Sequence, residues 1–137
     1  MPLPKVSVII PCYNCADTLR QTVASIAAQN YSNLELLLVN DGSTDATAAL
    51  LAELSATLPF ARVLEHPHNR GPAAALNTGV AHAQGKYILP CGADDTLSEN
   101  YIASCVAALE QHPECGFAYP EWQQDFGEST QRHRFPE

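Results

Sequence analysis

The sequence predicts an α/β protein with a mainly parallel, Rossmann-like sheet and helices on both faces. Three observations carry this. Apolar, partly β-branched runs alternate with stretches of helical period. The order reads βαβαβαβαβ, which joins parallel strands through right-handed crossovers. Polar, turn-forming clusters follow the strands, where an open parallel sheet gathers its loops.

The elements follow in order. Val6-Ser7-Val8-Ile9-Ile10 reads as the first strand and Leu34 to Val39 as the second. Between them Leu19, Val23, Ile26 and Ala27 fall on one helical face. Arg62-Val63-Leu64 forms the third strand, after a helix whose apolar side carries Leu50, Leu51, Leu54 and Leu58 and which Pro59 stops. A weaker helix follows Pro72, with Gly79 counting against its later part. Tyr87-Ile88-Leu89 is the fourth strand. The fourth helix takes Ser98 as N-cap and Glu99 in its first turn, buries Ile102, Cys105, Val106 and Leu109, and ends at His112-Pro113. Phe117-Ala118-Tyr119 closes the sheet as a fifth strand. Residues 1–120 thus make one α/β unit. Residues 121–137 are polar, lack strong periodicity and read as a connecting segment toward a part outside this sequence. There is no internal repeat and no low-complexity segment.

Composition narrows the chemistry. A chain of 137 residues, 46% hydrophobic and 16% charged, buries a real core without staples. No apolar run approaches the ~20 residues that cross a bilayer, and no signal-peptide pattern opens the chain, so a soluble cytoplasmic protein is expected. The net charge of −8, with basic residues scattered, excludes nucleic acid as a partner. A diphosphate would meet the same repulsion unless a cation or helix N-termini received it. The cysteines at 12, 15, 91, 105 and 115 form an odd set without disulfide spacing and are expected to be reduced and mostly buried.

Four strand ends converge on one rim: Pro11-Cys12-Tyr13-Asn14, Asn40 to Asp45, His66 to Gly71, and Cys91 to Asp95. Neither Gly-x-Gly-x-x-Gly nor a Gly-Lys-Ser/Thr phosphate loop is present, which removes ordinary dehydrogenase and P-loop readings. Asp41 can accept hydrogen bonds from a base or ribose, and Asp94-Asp95 are hard oxygen ligands suited to Mg²⁺ or Mn²⁺ on a diphosphate. Plainer readings stand beside these. Asn40 to Ser43 also fits a turn before a Ser43 or Thr44 cap, Asp94-Asp95 fits a helix entry, and Arg70 fits a solvated loop charge. Cys12-Tyr13-Asn14-Cys15 fits a thiol redox motif. His66, His68 and His82 read as surface residues, since no cysteine pair completes a metal set.

Four segments together, VSVIIPCYN from Val6, VNDGSTDAT from Val39, NRGPAAALNTG from Asn69 and GKYILPCGADD from Gly85, resemble family 2 glycosyltransferases of the GT-A fold. The resemblance runs from Lys5 to Tyr119. It implies that Pro11 and Tyr13 line a base pocket with Asn14 beside them, that Asp41 hydrogen-bonds the base, that Arg70 approaches the nucleotide, and that Asp94 coordinates the metal with Asp95 next to it. The donor would be a nucleoside-diphosphate sugar, most often of uridine, and the acceptor a saccharide or a lipid-linked one. The resemblance also implies inverting transfer, with the catalytic base supplied by an acceptor-binding part past residue 137, and a setting at the cytoplasmic face of a membrane. A face normally covered by that part would favour a homodimer. A sugar-nucleotide-binding module without catalysis is the alternative. Two positions depart from the family pattern. Gly92 stands where Asp-x-Asp begins, and Leu76 where an Arg commonly precedes Asn77.

Overall fold

The computed structural model describes residues 2–125 and 129–133. In chain order the elements are β1 (Val6–Cys12), α1 (Ala16–Ala27), β2 (Leu34–Asp41), α2 (Thr47–Thr57), β3 (Ala61–His66), α3 (Pro72–His82), β4 (Tyr87–Pro90), α4 (Tyr101–Gln111), β5 (Trp122–Asp125) and β6 (Thr130–His133). The first four strands form a parallel sheet in the order β3-β2-β1-β4. In register, Val6 of β1 sits between Leu34 of β2 and Tyr87 of β4.

Strand alternation sorts the core into two layers. Val6, Val8, Ile10 and Cys12 point with Leu36 and Leu38 toward Leu19, Val23 and Ile26 of α1, Leu50, Leu51 and Leu54 of α2, and Ile102 and Val106 of α4. Ile9, Leu37 and Val39 point the other way, toward Ala75 of α3. Three helices therefore cover one face and α3 covers the other, so β1 and β2 are largely buried on both sides and read as mostly apolar runs interrupted only by Ser7 and Glu35 before the polar strand ends. Gly79, which weakens the helical pattern in the sequence, is the residue that lets α3 approach. A Cβ there would lie 2.3 Å from Ile9 Cγ2.

The structure corrects several sequence expectations. Phe117-Ala118-Tyr119 is not a strand. Phe117 and Tyr119 stack on each other with centroids 5.8 Å apart, and both are exposed. Strand pairing appears instead in the polar stretch after it, where β5 and β6 form an antiparallel pair. Ser98 does not cap α4, which begins at Tyr101. The amide of Gln29, carried past the end of α1, accepts the Ile102 N–H at 3.0 Å and donates to the Ser98 carbonyl at 2.6 Å. A tertiary partner thus satisfies an orphan N–H that sequence logic gives to a local hydroxyl. Ala27 is exposed, off the buried stripe of α1. The cysteines are all free thiols, but Cys12 and Cys91 alone are buried, Cys15 and Cys105 are half-buried and Cys115 is exposed.

Candidate functional site

Strands β1, β2 and β3 progress one way across the sheet and β4 returns to the other side of β1. The order reverses between β1 and β4, and the loops beyond their carboxyl ends flank the crevice that such a reversal opens. Pro11 to Cys15 leave the end of β1 and Cys91 to Asp95 the end of the neighbouring β4, and the loops after β2 and β3 continue along the same edge of the sheet.

The β1 wall is held by Asn14. Its backbone is left-handed, with φ 47°, a conformation that Asn tolerates better than most residues. Its side-chain oxygen accepts the Thr44 N–H at 2.8 Å and the Asp45 N–H at 3.2 Å, and its own N–H donates to Ser43 Oγ at 3.1 Å. Asn14 therefore clamps the loop after β2. Tyr13, just before it, is 49% exposed and free to present its ring. Pro11 is half-buried at the strand end.

Asp41 ends β2 and is buried, 2% exposed. Its Oδ1 accepts from His66 Nδ1 at 2.8 Å and from the Arg70 N–H at 2.9 Å, and its Oδ2 accepts from the Gly71 N–H at 2.9 Å. Burial alone would raise its pKa. The hydrogen bond from His66 and those from the two backbone N–H groups outweigh burial and hold the carboxyl below its ordinary value. Gly42 permits the same approach of the β3 loop. Its φ is +72°, and a Cβ would meet the His68 and Asn69 backbone at 2.5 Å. Arg70 thus arrives with its backbone fixed and its exposed side chain at the rim. His66, read from sequence as a surface residue, is instead buried, bridging Asp41 and Thr78 of α3, whose Oγ1 lies 2.8 Å from its Nε2. The available signal was register, since Asp41 and His66 are direct partners across β2 and β3.

The β4 wall is a turn pinned to α1. Thr18 and Thr22 hydroxyls both donate to the Ala93 carbonyl, each at 2.9 Å. Asp94 and Asp95 are exposed, and their carboxylates converge over Gly92, where an added Cβ would lie 2.6 Å from Asp95 Oδ2 and 3.1 Å from Asp94 Oδ1. Two acidic oxygens drawn to one point could supply two of the six ligands of an octahedral cation. Among the described residues no group of three or more His, Cys, Asp or Glu side chains gathers to complete one. Beside the pair opens a depression of about 850 Å³, walled by Tyr101, Glu121, Trp122 and Gln124. Leu76, at the other departure from the family pattern, is half-buried against the second core layer.

The family model for glycosyl transferase family 2 matches residues 7–137. The chain belongs to this family. Among family relatives, it is 38% identical over 110 residues to the putative glycosyltransferase EpsE of Bacillus subtilis, covering 80% of this chain and 40% of that protein. Its fold matches S. aureus TarS in complex with UDP-GlcNAc at a TM-score of 0.74 and 27% identity, over 80% of this chain and 32% of that one. It matches the mannosyltransferase PcManGT from Pyrobaculum calidifontis, in complex with GDP-Man and Mn²⁺, at a TM-score of 0.74 and 32% identity, over 80% of this chain and 33% of that one. The chain spans less than half the length of the curated relatives it matches. Among its described residues no helix is long and apolar enough to cross a membrane. The sheet agrees with the GT-A fold expected of the family.

Proposed function

We propose that this chain is the donor-binding part of a glycosyltransferase, residues 1–120 forming the nucleotide-sugar domain and residues 121–137 leading toward the acceptor side. The observation that carries the reading is the reversal of strand order between β1 and β4, with Tyr13 and Asn14 on one lip and the convergent Asp94 and Asp95 on the other. In this reading a nucleoside diphosphate lies across the crevice. Tyr13 and Pro11 pack on the base, and Asp41 keeps one lone pair of Oδ2 for an imide N–H such as that of uracil. The Arg70 guanidinium offsets phosphate charge at the rim. Solved relatives bound to UDP-GlcNAc and to GDP-Man support a nucleotide-sugar donor, and we take uridine as its base.

The paired carboxylates fit Mg²⁺ or Mn²⁺, because such ions are commonly held by one or two carboxylates plus substrate phosphates. Asp94 and Asp95 would hold such an ion, which would supply positive charge against the departing diphosphate. In this reading an inverting transfer also needs a base for the acceptor proton, and we assign that part to none of the crevice residues named above.

Calorimetric titration of UDP with and without Mn²⁺ tests the reading. Affinity for UDP should depend on Mn²⁺, and Asp94→Asn should abolish that dependence while circular dichroism and melting stay unchanged. UDP binding indifferent to Mn²⁺ points to a binding module without metal chemistry, and no binding at all ends the proposal.

A further inference from the structure

Asp41 ends β2 already engaged by its own fold. Its three donors come from one short segment: the His66 ring at 2.8 Å and the Arg70 N–H at 2.9 Å on Oδ1, and the Gly71 N–H at 2.9 Å on Oδ2. An ionised carboxylate only accepts, so the proton in the His66 bond sits on Nδ1. The other ring nitrogen, Nε2, lies 2.8 Å from Thr78 Oγ1 in α3, a hydroxyl that also reaches the Ala74 carbonyl at 3.1 Å. Two anchors on opposite edges of the imidazole fix its plane. Asp41 and His66 are 2% and 6% exposed, so water has little access to either. We propose that His66 is a positioning residue for base selection: by donating to Oδ1 while Thr78 steadies its ring, it keeps Asp41 an acceptor only, so the site takes bases that present a ring N–H and rejects bases that present a ring-nitrogen lone pair. This role rests on the donor-site reading above.

Counting lone pairs gives the selection rule. Both lone pairs of Oδ1 are taken, by His66 and by Arg70. Oδ2 accepts from Gly71 and keeps one. Burial alone would raise the Asp41 pKa, and the His66 hydrogen bond leads the contacts that outweigh it and hold the carboxyl below its ordinary value. The remaining lone pair therefore carries no proton. Uracil N3–H and guanine N1–H can donate to it. Cytosine N3 and adenine N1 have lone pairs of their own, and two acceptors brought together in a buried contact leave both without a donor. Uracil and cytosine make the clean comparison, because UDP and CDP share ring size, ribose and diphosphate, and every phosphate and metal contact cancels in their ratio.

Without His66, Oδ1 loses a donor and burial is opposed only by the two backbone N–H groups. Asp41 can then hold a proton on Oδ2 and give it to cytosine N3, so CDP loses its penalty while UDP loses its acceptor. A His66 that served the fold alone would weaken both nucleotides alike. The ratio of the two affinities separates these cases.

The test titrates UDP and CDP calorimetrically, at neutral pH with Mn²⁺, into wild type, His66→Leu and His66→Asn. Wild type should prefer UDP by about tenfold or more, the size of one buried hydrogen bond left unmade. His66→Leu should bring the preference below about threefold, and His66→Asn, whose Nδ2–H can stand where Nδ1–H does, should restore it. If circular dichroism shows His66→Leu unfolded, Thr78→Val takes its place, since it keeps the imidazole but removes its second anchor, and it should lower the preference by about threefold. Wild type binding CDP within about threefold of UDP, a preference unchanged in the folded variant, or a preference that His66→Asn fails to restore overturns the role of His66. Wild type that binds neither nucleotide refutes the donor-site reading, and the selection rule falls with it.

Discussion

Asp41→Asn separates what this carboxylate does for the fold from what it does for a ligand. The side chain accepts three hydrogen bonds while almost fully buried. Asparagine is isosteric but has one acceptor oxygen. With that oxygen kept on His66 and Arg70, the new amide N–H faces the Gly71 N–H, donor against donor. One buried donor is orphaned and two charge-assisted bonds become neutral, a loss of about 2–4 kcal/mol of stability. The sign with pH follows from the depressed pKa of Asp41 in the folded state. Its contribution is present above the unfolded carboxyl value of about 3.9 and is lost as pH falls through the lower folded value. Urea unfolding of both proteins at neutral pH and across the acid range measures this. The variant should be weaker at neutral pH, and the gap should narrow in acid. A neutral-pH difference under about 0.5 kcal/mol would refute the assignment of Asp41 as the bracket between β2 and the β3 loop.

Two further substitutions probe the glycines of this fold. Gly79→Ala forces a methyl into Ile9. Overpacking of about 1–3 kcal/mol should exceed the helix preference of about 1 kcal/mol that alanine regains, so urea titration should show net destabilisation. A stabilised variant would mean that α3 can shift outward at no cost. Gly92→Asp adds a third carboxylate where flexible Asp94 and Asp95 side chains can yield, and the Gly92 backbone is not left-handed. Mn²⁺ affinity, read by electron paramagnetic resonance, should rise about tenfold as ligand count increases. An unchanged affinity would place the cation away from this turn.

The parallel sheet was legible because β1 and β2 are largely buried on both faces, and two-sided burial writes a mostly apolar run into the sequence. The rim was legible for a related reason, since polar clusters after such runs can lie only at strand ends. Other features depend on partners distant in sequence. Gln29 replaces Ser98 at the start of α4, and no local pattern announces an amide arriving from α1. His66 looks like a loop residue because its neighbours are Pro67 and His68, yet pairing with Asp41 buries it. Phe117 and Tyr119 alternate like a strand but satisfy each other by stacking. Polarity hid the pairing of β5 and β6, which does not depend on burying one face.

The twin hydroxyl grip on the Ala93 carbonyl has a consequence for how a ligand is received. It ties the acidic turn to the first helix through a single oxygen, so the gap beside β1 keeps its width before anything enters. On the donor-site reading proposed above, a guest would then order little of its host and surrender little conformational entropy on association. Removing both threonine hydroxyls would transfer that ordering to the moment of encounter, and a nucleotide would be held less tightly without losing any contact of its own.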